Sequence, residues 1–265
     1  MRTTSNPAFK NLPTTGGYAN FNHGQGQGGY GTPFGQAPAA PPQTARPMTI
    51  DDVVTKTAIT LALAVVTGAA TYLMGPAALG LALPAAIIGL VLAMVVIFKK
   101  KVSPALIIAY SAVEGVFLGG ISYLFAMLVG NPGIVMQAIA GTMGVFAAML
   151  VVYKTGAIRV TPKLTKWIIG AVAGVAVLML VNLIASFFVS GGLGLRDGGA
   201  LAIGFSLLCI GIAAFSFLLD FDAADQAIKG GVDAKFAWYI AFGLMTTLVW
   251  LYLEILRLLS YFQND

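Results

Sequence analysis

Charged residues are scarce in this chain. Asp, Glu, Lys and Arg make up 9% of its 265 residues, whereas a soluble globular domain carries about 25%. So few charges cannot solvate a surface of ordinary size, which excludes a soluble enzyme or a nucleic-acid-binding domain as the whole protein. Hydrophobic residues make up 58% of the chain, and about 20 consecutive apolar residues span one bilayer core. The composition therefore predicts an all-α membrane protein with several transmembrane helices.

Cysteine and histidine are nearly absent. A single cysteine, Cys209, excludes an internal disulfide scaffold, and the single histidine, His23, lies far from every apolar run. This excludes a His-dependent serine or cysteine dyad within the membrane. No HExxH or CxxC motif occurs. An intramembrane aspartyl protease requires two aspartates at the same membrane depth on two helices, and the acidic residues of this chain are not placed in that way. We therefore expect no enzyme, no bound cofactor and no resident metal.

Residues 1–48 contain no acidic residue and no long apolar run. They hold seven of the 12 prolines and eight glycines, and residues 24–31 are a low-complexity stretch of Gly, Gln and Tyr. Such a segment buries too little apolar surface to offset the entropy of ordering. The sequence predicts a disordered Gly/Pro/Gln-rich cytoplasmic tail over 1–48, followed by a transmembrane domain over 49–265.

Seven apolar runs occupy the remainder of the chain, and each is long enough to cross a bilayer. They must be helical, because backbone groups in lipid need internal hydrogen bonds and no run shows the alternation of a barrel strand. The predicted helices cover residues 53–74, 77–98, 104–129, 133–153, 167–189, 200–219 and 236–259.

Basic residues are distributed unevenly between the two ends of these runs. If the N-terminus is cytoplasmic, thirteen Lys and Arg residues lie on the inner side, and only Arg196 and Arg257 lie on the outer side. The positive-inside rule therefore predicts a cytoplasmic N-terminus and a C-terminus outside. The net charge of +5 follows from this orientation, and nothing in the pattern indicates binding to nucleic acid.

Small residues recur at a spacing of four in two of the runs. Gly115 and Gly119 lie in the third run, and Gly170 and Gly174 lie in the fifth. Such faces allow two helix backbones to approach closely in lipid. We expect both faces to pack against neighbouring helices.

Few ionisable residues lie within or beside the runs, and these are the candidate functional residues. A charge at bilayer depth costs several kcal/mol unless it has a partner or water. At 1.5 Å per residue, Glu114 lies about 15 Å from the inner face, at mid-membrane. Asp220 and Asp222 are predicted at the cytoplasmic end of helix six, where Asp222 and Asp225 share a face. These acids form either a solvated helix end or a cluster that shares protons or holds a hard cation such as calcium.

Glu254 is the remaining acid of the last run. It lies about 27 Å along that helix, close to the outer side, and three residues before Arg257. Residues three apart on a helix are neighbours, so the simplest interpretation is an ion pair with the Arg257 side chain directed outward. A place in an ion path is the alternative.

The polar residues that punctuate these runs resemble those of the Bax inhibitor-1 / YccA-like family, and most closely its bacterial branch with a long polar N-terminal extension. The resemblance covers about residues 53–260. It rests on the three lysines at 99–101, which follow the second run, and on three segments. These are AVEGVFLGG at 112–120, LDFD at 219–222 with Asp225-Gln226 beyond, and LVWLYLEILRLL at 248–259.

The resemblance implies six helices around a central seventh helix, in a bacterial inner membrane. Some members of the family are described as pH-sensitive calcium leak channels, in which an aspartate ending helix six pairs with one in helix seven. Others are associated with regulation of membrane proteases or suppression of cell death. The implied function is therefore a pH-sensitive calcium leak or, as the alternative, a non-conducting regulator that binds other membrane proteins. A continuous polar path would favour the first, and a sealed apolar centre the second.

The residues of the implied gate map onto this chain only in part. The helix-six acid corresponds to Asp220 or Asp222. The helix-seven acid corresponds to Glu254 by the Tyr-Leu-acid match, or to Thr247 by the terminal Leu-Arg-Leu-Leu match. Depth favours Thr247, which lies about 16 Å along the last run. The second gating carboxylate is then missing, and Glu114 is the expected replacement.

Overall fold

A computed structural model describes residues 46–99, 102–189 and 191–263. Within these residues the chain forms seven α-helices, and a 3₁₀ turn over Ala234–Phe236 precedes the last of them. Each of the seven is long and apolar enough to cross a membrane, which confirms the predicted fold class. The helices are α1 (Ile50–Leu73), α2 (Ala77–Phe98), α3 (Pro104–Val129), α4 (Gly133–Thr155), α5 (Pro162–Ser186), α6 (Ala200–Lys229) and α7 (Ala237–Gln263).

Local sequence signals set several helix ends. Thr49 and Asp52 form a capping box at the start of α1, in which each side chain accepts a hydrogen bond from the other residue's backbone N–H. Proline occupies the first position of α3 and of α5, where a missing N–H costs nothing. Gly130 ends α3 with φ at 70°, a conformation that glycine adopts without strain.

Helix α6 extends ten residues beyond its predicted end at residue 219. The apolar run stops at Asp220, but the helix continues because polar pairs four residues apart support it. The Gln226 side chain donates to Asp222, and Lys229 pairs with Asp225. The placement of Asp220 and Asp222 at the end of helix six is therefore wrong. Asp220 lies nine residues, about 14 Å, before the last residue of α6.

Helix α7 is the centre of the bundle. In its most apolar 18-residue window 61% of the residues are buried, against 11–39% for the other six helices. It packs against α1, α3, α4 and α6, as the resemblance implied for a central seventh helix. Its buried apolar side chains include Leu244, Met245, Leu248, Leu251 and Leu256.

The first three helices pack closely through glycine, as predicted. A Cβ atom added at Gly115 would collide with the Ala64 backbone of α1, and one at Gly119 would collide with the Gly68 carbonyl. On the opposite side of α3, a Cβ atom at Gly120 would lie 2.8 Å from the Ala78 carbonyl oxygen of α2. Glycine at these positions lets the three backbones approach one another.

Helix α5 does not pack closely through its glycines, unlike the prediction. Its main neighbour among the described helices is α6. Gly170 and Gly174 have no atom of another helix within 4 Å of where a Cβ would lie. The expectation that this pair packs against a helix is therefore wrong for the described part of the chain, because no neighbouring helix reaches that face of α5.

Residues 46–48, which the sequence analysis assigned to the tail, are held on the connection between α6 and α7. The Met48 N–H donates to the Val232 carbonyl over 2.7 Å, and the Ala234 N–H donates to the Arg46 carbonyl over 2.8 Å. Met48 is buried, with 2% of its surface exposed. The predicted disorder of residues 1–45 concerns a segment outside the described residues.

Candidate functional site

Glu114 lies inside the bundle, as its mid-membrane position predicted. Its residue surface is 9% exposed. One carboxylate oxygen faces Gly89 of α2, where an added Cβ would lie 3.0 Å from it, so the glycine leaves room for the acid. Tyr110 precedes Glu114 by one turn of α3, and its ring packs edge-on against Phe242 of α7 with centroids 5.0 Å apart. Within the described residues, no Lys or Arg forms an ion pair with Glu114.

A row of buried polar side chains on α3 contains Glu114. Ser111, Glu114 and Ser122 fall on one face of the helix, since they are three and eight residues apart, and all three are buried. The Ser111 hydroxyl contacts the Met245 sulfur over 3.2 Å, and the Ser122 hydroxyl lies 2.6 Å from the Tyr252 hydroxyl. The row spans about 16 Å of α3. Its two serines contact α7, whereas Glu114 faces Gly89 of α2.

Asp220 and Thr247 meet on another side of α7. The Thr247 hydroxyl donates to an Asp220 carboxylate oxygen over 2.7 Å. Of the two sequence matches for the helix-seven position, the one that selects Thr247 is the one that the structure brings opposite a helix-six acid. The contact joins one carboxylate to one hydroxyl, where the resemblance implied two carboxylates.

Asp222 and Asp225 are not brought to this contact. Asp222 accepts a hydrogen bond from Gln226, and Asp225 pairs with Lys229. The Asp225 and Lys229 side chains are 40% and 73% exposed. Both interactions lie within the ten residues by which α6 extends beyond its apolar run, so they match the simpler interpretation of a solvated helix end.

Glu254 belongs to an ion cluster, which we call the Glu254 ion cluster: Arg196, Glu254 and Arg257. The predicted pair with Arg257 is present at 3.2 Å. The closer partner is Arg196, which the sequence analysis did not assign to Glu254. Its two terminal nitrogens donate to the two Glu254 oxygens, each over 2.9 Å. Glu254 is 2% exposed, so its charge is balanced inside the protein.

The connection between α5 and α6 brings Arg196 into the bundle. Positive φ angles at Gly191, Gly192, Gly194 and Gly198 allow this connection to fold back, and Leu195 is buried beside Arg196. The guanidinium also donates to the Met179 sulfur and lies 5.5 Å from the centre of the Phe205 ring. The distribution of basic residues in the sequence pointed to the pair of Arg196 and Glu254. Arg196 and Arg257 are the only two bases on the predicted outer side, where Glu254 needs a partner.

Within the described residues, no group of three or more His, Cys, Asp or Glu side chains is placed to hold a metal ion.

The chain also matches a known protein family. The sequence model of the family described as Bax inhibitor 1 like matches residues 6–264. No curated protein matches the chain. The family match spans all seven helices and most of the N-terminal segment. This chain, a multi-pass membrane protein with a central seventh helix, therefore belongs to the Bax inhibitor 1 like family.

Proposed function

We propose that the protein is a pH-sensitive leak pathway for cations, with calcium as the cation that its family suggests. The observation that carries the proposal is Glu114, a buried acid at mid-helix with no basic partner among the described residues. A carboxylate at that depth is either neutral, hydrated or beside a cation. Exchange between these states is what a pH-sensitive cation path requires.

The row of polar side chains on α3 supports a route for the ion. Hydroxyl and carboxyl oxygens are the ligands that hard cations prefer. Ser111 and Ser122 offer such oxygens at the contact with α7, and Tyr252 adds one at the far end of the row. Glu114 offers its carboxylate on the same face of α3, toward Gly89 of α2. We propose that separation of α3 from α7 opens this row to water.

The Asp220–Thr247 contact bears on the pH response. Two carboxylates that share a proton titrate in two coupled steps, whereas one carboxylate beside a hydroxyl titrates in one. A path in this protein should therefore respond to pH through separate single groups, Glu114 and Asp220. This response would differ from the paired-aspartate gate that the resemblance implied.

The second candidate function is regulation of other membrane proteins without conduction. The observation that favours it is the apolar packing around α7, where Phe217, Leu218, Leu251 and Leu256 are fully buried. A path through this arrangement needs the helices to move apart. In either case we propose a function without catalysis, in a bacterial inner membrane with the N-terminus in the cytoplasm, as the distribution of basic residues favours.

Calcium uptake into sealed vesicles tests the proposal. Purified protein is reconstituted into vesicles that contain a calcium-sensitive dye, and uptake is compared with that of empty vesicles at several pH values. We expect uptake above the empty-vesicle rate, with a pH dependence that Asp225→Asn, a change at a partly exposed acid of α6, leaves unchanged. Uptake equal to that of empty vesicles at every pH would overturn the leak and leave the regulator.

A further inference from the structure

The segment from the end of α4 into α5 carries only positive charge. Lys154, Arg159, Lys163 and Lys166 are all exposed, and no Asp or Glu occurs between Glu114 and Asp197. Within the described residues none of these four bases forms an ion pair. Together they make a positive patch at one end of the bundle, at the depth where a helix leaves the apolar layer.

An open groove of about 430 Å³ begins at this patch. It is lined by Lys166, Trp167, Gly170 and Ala171. Trp167 is 79% exposed, and the space beside Gly170 and Gly174 is empty of protein atoms within 4 Å. Residues four apart on a helix lie one above the other, so Lys166, Gly170 and Gly174 form one line from the basic patch toward the membrane centre.

The shape and charge of this line match one kind of occupant. In a bilayer the groove faces lipid, and the missing side chains at Gly170 and Gly174 leave room for an acyl chain. Lys163 and Lys166 lie three residues apart on the same face, where a phosphate group can contact both. The N-terminus of α5 adds partial positive charge at the same point. Tryptophan is common at the level of the headgroups, where its ring is apolar and its N–H is polar.

We propose that this groove is a binding site for an anionic phospholipid. The Lys163 and Lys166 side chains hold the phosphate, Trp167 lies against the glycerol region, and one acyl chain follows Gly170 and Gly174. An apolar helix of a second copy or of another protein would fill the groove but would leave the basic patch unmatched. The site lies on the lipid-facing side of α5 and does not depend on whether the protein conducts calcium.

Quenching of Trp167 fluorescence tests the site. The double variant Trp238→Phe/Trp250→Phe leaves Trp167 as the single tryptophan of the chain. This protein is placed in phosphatidylcholine vesicles that contain a small fraction of brominated phosphatidylglycerol or, in a parallel series, brominated phosphatidylcholine. Bromine quenches a tryptophan it touches, so the two series report which lipid occupies the groove. One basic residue near an anionic membrane surface contributes about 1 kcal/mol, or a factor of about five in relative affinity. We therefore expect at least fivefold stronger binding of the anionic lipid.

Lysine variants then test which side chains bind the anionic headgroup. Lys163→Gln/Lys166→Gln in the same background should bring the ratio of the two affinities close to one. Lys235→Gln removes one positive charge at a base paired with Asp233 and should leave the ratio unchanged. Elution volume in detergent and the circular dichroism spectrum check that each variant is folded.

Three results would overturn the proposal. Equal quenching by the two brominated lipids would show that the groove has no preference for an anionic headgroup. A preference that persists in Lys163→Gln/Lys166→Gln would assign the headgroup to other bases. Absence of quenching by either lipid, with elution of the protein as a dimer, would show that a second copy covers this face of α5.

Discussion

Two buried glutamates in this bundle differ in how their charge is balanced. Glu254 is 2% exposed and is held by two guanidinium groups, whereas Glu114 is 9% exposed and has no basic partner within the described residues. Burial alone therefore does not distinguish a structural acid from a functional one. The Glu254 charge is fixed by its partners, while the charge of Glu114 depends on a proton, water or a cation. The comparison assigns Glu254 to stability and Glu114 to the proposed path.

The largest expected effect on stability comes from Arg196→Gln. This change leaves Glu254 buried with only the longer contact to Arg257, at 3.2 Å. Removal of one partner of a buried ion pair costs about 3 kcal/mol or more. We expect a loss of about this size in the free energy of unfolding, measured by denaturation in mixed micelles of detergent and SDS. Arg159→Gln, at an exposed base, is the matched control and should change the value by less than about 0.5 kcal/mol. Equal stability of the two variants would contradict a structural role for the Glu254 ion cluster.

A double-mutant cycle on Arg196 and Glu254 should give a coupling energy smaller than the stability loss caused by Arg196→Gln alone. The Arg196 side chain is 21% exposed and that of Arg257 is 26% exposed, so both guanidiniums reach water when the acid is removed. Glu254→Gln should therefore cost less than Arg196→Gln, and the double variant should cost less than the sum of the two. We expect a coupling energy of about 1–3 kcal/mol from the four unfolding curves. Additive losses would show that the two side chains do not depend on each other.

Glu114→Gln should change stability least among the buried acids. The amide keeps the shape of the side chain, and no ion pair of the described residues is lost. We expect the free energy of unfolding to stay within about 1 kcal/mol of wild type, the size of one neutral hydrogen bond. Asp225→Asn, which removes a carboxylate from a partly exposed ion pair, provides a charge-matched reference. A loss as large as that of Arg196→Gln would show that Glu114 has a charged partner.

Asp233 is a partly buried acid outside the long helices, with a side chain that is 24% exposed. Hydrogen bonds from the Lys235 side chain and backbone hold the pKa of this carboxyl below its usual range. A carboxyl with a lowered pKa stabilises the folded state above its ordinary pKa, and this contribution is lost as the pH falls through the folded value. Asp233→Asn should therefore lower the unfolding midpoint slightly at neutral pH. In strong acid the midpoints of the variant and the wild type should become equal. A constant difference across the pH range would contradict this account of Asp233.

The sequence predicted those features that depend on neighbouring residues. Helix number and most helix positions follow from the length of the apolar runs, and the Glu254–Arg257 pair follows from a spacing of three. The features it missed join distant residues. Arg196 and Glu254 are 58 residues apart, and apolar periodicity carries no information about such a pair. The extension of α6 was missed for a different reason, since a hydropathy boundary marks the edge of the apolar layer and not the end of the helix.

The two glycine pairs also show that a local sequence pattern does not predict contacts between distant residues. Gly115–Gly119 and Gly170–Gly174 have identical spacing, yet the first pair packs against α1 and the second faces open space. Spacing establishes that a face permits close approach. The presence of a neighbour depends on the arrangement of the whole bundle, which a local pattern does not contain.

The pH dependence of calcium uptake in Glu114→Gln and Glu254→Gln vesicles tests the contrast between the two glutamates most directly. Both changes replace a buried glutamate by its amide, so they are matched in chemistry and differ in whether the charge had a partner. We expect Glu114→Gln to lower uptake or to remove its pH dependence while the protein stays folded. We expect Glu254→Gln to keep the wild-type pH profile, with any loss of uptake following the fraction of protein that unfolds. A wild-type profile in Glu114→Gln together with an altered profile in Glu254→Gln would contradict the account.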